Sequence, residues 1–104
     1  MSEDRQCLFM VGMDIASEKE DLFNEIYDDE HIPYILEVPG VLGVTRYEVA
    51  SANYTPKYLA VFELESPAVL ETQEYKSAID QGRWAEEIRP YTYNRTQVVY
   101  FRRS

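Results

Sequence analysis

Lys57–Pro67 reads KYLAVFELESP. Its apolar residues occupy both phases of a strand: Tyr58, Ala60, Phe62 and Leu64 fall on one side, Leu59 and Val61 on the other. A half-solvated antiparallel strand would alternate apolar and polar residues instead. The run then opens a helix, with Ser66 as N-cap and Pro67 at the first helical position. A sheet built from such strands needs cover on both faces.

The pattern recurs outward from this run. Residues 6–13, QCLFMVGM, predict a first strand, with Cys7, Phe9, Val11 and Met13 set against Leu8 and Met10. Residues 41–50, VLGVTRYEVA, predict a second, with Val41, Tyr47 and Val49 against Leu42 and Val44. The third is 57–65. The fourth is 91–103, YTYNRTQVVYFRR, where Val99 and Phe101 oppose Val98 and Tyr100.

Ser17 and Glu20 have the spacing of a capping box. Leu22, Phe23, Ile26 and Tyr27 follow at helical intervals, which predicts a helix from about residue 18 to about residue 31. Pro33 disfavours helix at Ile32 and should end or kink it there. YILEVPG adds a short helical turn closed by Pro39 and Gly40, and SANYTP (51–56) is turn-forming. The second helix runs from Pro67 through AVLETQEYKSAI and breaks near Gly82; RWAEEIRP predicts a last turn before Pro90.

The order β-α-β-β-α-β is the ferredoxin-like arrangement. The expected fold is α+β: a four-stranded antiparallel sheet with both helices on one face, in a single domain spanning residues 1–104. Two helices cover one face, and the chain has no element left for the other. A second copy packed sheet against sheet would cover it, giving a homodimer. The alternative is a face of merely mixed character.

Composition narrows the function classes. The formal net charge is −9, and the nearest approach to a basic cluster is the terminal FRRS. Polyanionic partners attract basic surfaces, so no nucleic-acid and no membrane partner is expected. Cys7 is the only cysteine and lies in an apolar run, which makes it a buried small hydrophobe. One histidine and one cysteine do not make a metal ligand set. There is no phosphate loop or nucleotide fingerprint, so no cofactor is expected. The N-terminus has no leader pattern, which points to a cytoplasmic protein. Nine tyrosines suit an interface or a pocket with a few polar points.

His31 is the only histidine. Steps of four through the first helix give Phe23, Tyr27 and His31, so the imidazole continues an apolar stripe. Its near-neutral pKa suits proton transfer at one end of an apolar pocket, with Tyr27 and Tyr34 supplying hydroxyls. The competing reading makes His31 a helix C-cap. In that position the dipole and the neighbouring Asp28, Asp29 and Glu30 favour its charged form. Trp84, Tyr91 and Tyr93 are further pocket candidates, or else core and dimer contacts.

Taken together, FNEIYDDEHIPYILEVPGVLGVTRYE and KYLAVFELESPAVLETQEY resemble the EthD-like proteins of the dimeric α+β barrel superfamily. The Tyr-x-x-x-His-x-Pro signature of that family falls on Tyr27, His31 and Pro33, with Pro39-Gly40 and Arg46-Tyr47 following. Ile26 stands where family helices often carry tryptophan. The resemblance covers about residues 8 to 101. It implies a homodimer whose two sheets face each other and a cavity between each sheet and its helices. Its superfamily includes cofactor-independent monooxygenases, polyketide cyclases, lactone isomerases and haem-degrading enzymes, and the EthD branch is linked to ethyl tert-butyl ether degradation. Fold analogy constrains architecture better than chemistry.

Two functions are therefore expected to compete. One is a small cofactor-independent enzyme acting on an apolar or aromatic metabolite, with His31 as acid/base and Tyr27, Tyr34, Tyr47, Trp84 and Tyr91 binding the substrate. The other is a non-catalytic ligand-binding or accessory protein. Haem binding through His31 is a distant third.

Overall fold

The computed structural model describes residues 6–103. Residues 1–5, on which the expectation about the N-terminus mostly rests, and Ser104 lie outside that range. Strand β1 is Cys7–Ile15, β2 Val41–Glu48, β3 Tyr58–Leu64 and β4 Thr92–Phe101. They form one antiparallel sheet in the order β2-β3-β1-β4, as the β-α-β-β-α-β reading requires. The odd residues of β1 and the even residues of β3 are buried under the helices, where the Phe9 and Phe62 rings meet edge to face.

The first helical segment differs from expectation at both ends. Ser17 does not cap it: Ser17–Lys19 is a 3-10 turn, and helix α1, Glu20–Ile26, has no side-chain cap. Glu20 is drawn off by the sheet, accepting hydrogen bonds from Lys57 Nζ (2.6 Å) and Tyr58 Oη (2.5 Å). Lys57 chiefly, and Tyr58 after it, hold its carboxyl below the usual range.

At the other end Pro33 does not stop the helix. A π turn, Tyr27–His31, leads into helix α2, Ile32–Leu36, with Pro33 in its first turn. The Ile32 amide bonds five residues back, to Tyr27. The wider turn takes the pyrrolidine ring where an α-helical i−4 bond would clash with it. The chain leaves α2 through Gly40, whose φ of +94° is the left-handed region glycine alone enters freely.

Ser66 caps as expected, accepting from the Ala68 amide, but the helix it opens is broken. A 3-10 turn, Pro67–Glu71, gives way to helix α3, Gln73–Ala78, which Thr72 caps afresh by accepting from the Tyr75 amide. The chain turns at Gly82 (φ +71°) into a second π turn, Trp84–Ile88, and a 3-10 turn, Arg89–Tyr91.

Two bulges set which side chains face the helices. From Val41 to Gly43, β2 takes two steps against one along β3. This inverts the expected phase of the second strand, because a bulge moves every later side chain to the other face. Val44 and Arg46 point to the helices, and Tyr47 lies on the opposite face across from Leu59. In the second bulge, β4 takes three steps, Thr96 to Tyr93, against two along β1, Gly12 to Asp14. Asn94 sits inside it at φ +51°. Its amide donates to Asp14 Oδ2 (2.7 Å), and the Lys57 amide donates to Asp14 Oδ1 (2.7 Å). Asp14 is thus buried with its oxygens satisfied.

Candidate functional site

Phe23, Tyr27 and His31 stand one above another on the inner face of the first helical segment, as the spacing predicts. Phe23 and Tyr27 meet edge to face at 5.5 Å between centroids, and Tyr27 and His31 at 5.1 Å. The Trp84 indole lies parallel to the imidazole, 4.2 Å away with the planes 16° apart, and also touches Tyr27. The second π turn delivers this indole, anchored by the buried Ile88.

Two of the three acids beside His31, Asp28 and Glu30, are neutralised from elsewhere. Arg46 Nη1 donates to Asp28 Oδ1 (2.9 Å). The Arg83 amide and Nε donate to Glu30 at 3.0 and 2.7 Å, pinning the Trp84 turn to the π turn and holding the Glu30 carboxyl below its usual range. Arg46 also reaches Asn24 Oδ1 (2.8 Å) and lies 4.5 Å over the Tyr27 ring, filling the space between sheet and helix on that side.

On the other side that space is open. A cavity of about 180 Å³ lies between sheet and helices, lined by Val11, Met13, Phe62, Arg95 and Gln97 from the strands. Tyr27, His31, Tyr75, Ile79, Trp84 and Arg89 line it from the helical side. Apolar and aromatic groups form most of this wall, with polar groups converging at a few points, the usual composition of a small-molecule site.

His31 is no C-cap. Its backbone is helical, the helix continues to Leu36, and the residue is 5% exposed. The expectation of a charged imidazole is reversed with it. Burial chiefly, with the positive charges of Arg89 and Arg95 behind it, pushes the His31 pKa down to about 3. Nδ1 is sealed from solvent with no hydrogen-bond partner, a cost that a binding site can bear and a structural core seldom does. Burial likewise pushes the Tyr27 and Tyr75 hydroxyls up, so both stay protonated.

Tyr27, His31 and Trp84 are thus brought together; the other candidates are not. Tyr34 lines a separate groove of about 400 Å³ between α2 and α3, because the continued helix turns it away from His31. Tyr47 is on the far face of the sheet, put there by the β2 bulge. Tyr91 is exposed at the end of the 3-10 turn before β4, under the Lys19 ammonium, 4.6 Å from its ring centre. Tyr75, Arg89, Arg95 and Gln97 were not among the expected site residues. One signal was in the sequence: in the phase of Val99 and Phe101, β4 turns polar at Gln97 and Arg95. Among the described residues no group of three or more His, Cys, Asp or Glu could hold a metal ion, and no helix is long and apolar enough to cross a membrane.

No family model matches the sequence, and no curated protein matches it significantly. Solved structures do match. An ethyl tert-butyl ether degradation (EthD) family protein from Bacillus halodurans is 15% identical with a TM-score of 0.65, over 90% of this chain and 96% of its own. A dimeric ferredoxin-like protein from an uncultured marine organism is 21% identical with a TM-score of 0.69, over 100% and 93%. A haem degrader from Mycobacterium tuberculosis, with two haems bound in its active site, is 14% identical with a TM-score of 0.61, over 91% and 93%. The chain therefore has the ferredoxin-like α+β fold seen in an EthD family protein, with helices on one face of a four-stranded antiparallel sheet.

Proposed function

We propose that the chain is a small, cofactor-independent enzyme acting on an aromatic or apolar metabolite in the cavity beside His31, and that it works as a homodimer. The observation that carries the reading is the imidazole itself: neutral, buried, its Nδ1 without a hydrogen-bond partner, and set in a cavity wall. Neutral imidazole is the form that accepts a proton. Trp84 and Tyr27 hold the ring in one orientation, so a substrate C–H or O–H would meet it without reorganisation. The fold neighbours include a haem degrader, so this architecture has room for catalysis.

The dimer rests on the uncovered sheet face. Leu8, Met10, Leu59, Val61, Tyr47, Val98 and Tyr100 share it, and no described helix packs over them. A second copy would cover the patch, and a neighbour of the same fold is dimeric.

A carrier without catalysis is the second reading. It is favoured by one fact: a base whose pKa lies near 3 is weak at neutral pH. The two separate on incubation of the protein with a metabolite extract, followed by mass spectrometry. An enzyme depletes one compound and raises another, and His31→Phe, which keeps a ring in the stack, abolishes the conversion. Equal turnover by His31→Phe removes His31 from the mechanism, and retention of a compound unchanged by both proteins selects the carrier.

A further inference from the structure

The cavity wall is chemically lopsided. Phe62, Tyr27 and Trp84 line it with aromatic rings, while the edge strand β4 contributes a guanidinium and a primary amide from Arg95 and Gln97, both exposed side chains on its helix-facing side. Three other arginines around the helices each hold an acid: Arg46 on Asp28, Arg83 on Glu30 and Arg89 on Asp80. Arg95 has no such partner among the described residues, in a chain with 19 acidic residues against 10 basic ones. The β4 bulge at Asn94 is what separates the inward Arg95 from the outward Tyr93, and bulges next to sites commonly re-aim a side chain in this way.

We propose that the cavity takes a single-ring aromatic carboxylate, its ring against the aromatic wall and its carboxylate on the Arg95 guanidinium and the Gln97 amide. This rests on the reading of the cavity as a small-molecule site and names the class of molecule it accepts. Size supports it: an apolar cavity of roughly 150 Å³ holds a benzene ring, and this one measures about 180 Å³. Shape supports it as well, since a guanidinium presents parallel N–H groups that match a planar carboxylate. A neutral ring would leave that fork unanswered. An anion placed there would also offset the positive charges of Arg89 and Arg95 on His31, while burial, the larger cause of its low basicity, would remain.

The test uses Trp84, the only tryptophan, as the reporter. Benzoate and its neutral analogue benzamide are titrated against the full chain at fixed ionic strength, reading indole fluorescence. Benzoate is expected to bind about tenfold tighter than benzamide, the scale of a charge-assisted hydrogen bond. Arg95→Gln should erase that preference by weakening benzoate far more than benzamide, and Arg95→Lys should restore part of it. Equal binding of both probes, indifferent to Arg95→Gln, would overturn the proposal and leave the small-molecule cavity standing. A Trp84 signal that neither probe perturbs would overturn both.

Discussion

The His31 imidazole has exchanged water for a cavity wall, with Trp84 over one face, Tyr27 at its edge, the Tyr75 hydroxyl on the same cavity and the charges of Arg89 and Arg95 nearby. Burial among these groups, and then the two positive charges, oppose protonation, which ties the stability of the fold to pH. The folded pKa is about 3, against roughly 6.5 for an unperturbed histidine. Between these values the unfolded chain binds the extra proton. The His31 contribution is therefore complete above about pH 6.5 and is lost as pH falls towards 3. By pH 5 the loss amounts to about 2 kcal/mol. Urea denaturation of the wild type at pH 7.5 and pH 5 should show a drop of that order, and His31→Phe should show a distinctly smaller one. Equal drops in the two proteins would mean that the imidazole is not sequestered.

The first helical segment is held by contacts that the sheet imposes. Glu20 leaves its capping box for Lys57 and Tyr58, and Arg46 reaches off β2 to Asn24 and Asp28, so the first helical segment is stitched to the sheet along its length. The turn between α2 and β2 is equally constrained. A Cβ on Gly40 would lie 2.5 Å from Val69 Cγ2, at a φ of +94° that L side chains rarely adopt. Gly40→Ala should destabilise the fold by about 1–3 kcal/mol through backbone strain and this clash. Thermal denaturation by circular dichroism would measure it, and an unchanged midpoint would contradict the turn geometry described.

The molecule as a whole presents one covered and one uncovered sheet face. Thr45, Val61, Met10 and Val98 form a row across all four strands on the uncovered side, and Met10 stands near its middle. If a second copy packs there, Met10→Asp places a charge in an apolar interface. The dissociation constant should then rise by about a hundredfold or more, since a buried unpaired charge costs about 3 kcal/mol or more. Sedimentation of the wild type at micromolar concentration should give twice the mass of one chain, and the variant should give one. A wild-type monomer would remove the sheet-to-sheet dimer.

The sequence by itself determined the element order, the apolar character of both sheet faces and the Phe23–Tyr27–His31 stripe. Such patterns are written in residues a few positions apart, and backbone geometry alone converts them into faces. Strand phase was not legible in the same way. The bulges at Leu42 and Asn94 depend on the partner strand, and they alone send Tyr47 and Tyr93 outward. The sequence left open whether the helix ends or kinks at Pro33, and the π turn that carries it through was hidden, because packing stabilises it around a residue that breaks isolated helices. Only the tertiary structure decided the state of His31. Trp84, Tyr75 and Arg95 come from distant parts of the chain, and burial among them outweighs the three acids that adjoin the histidine in sequence.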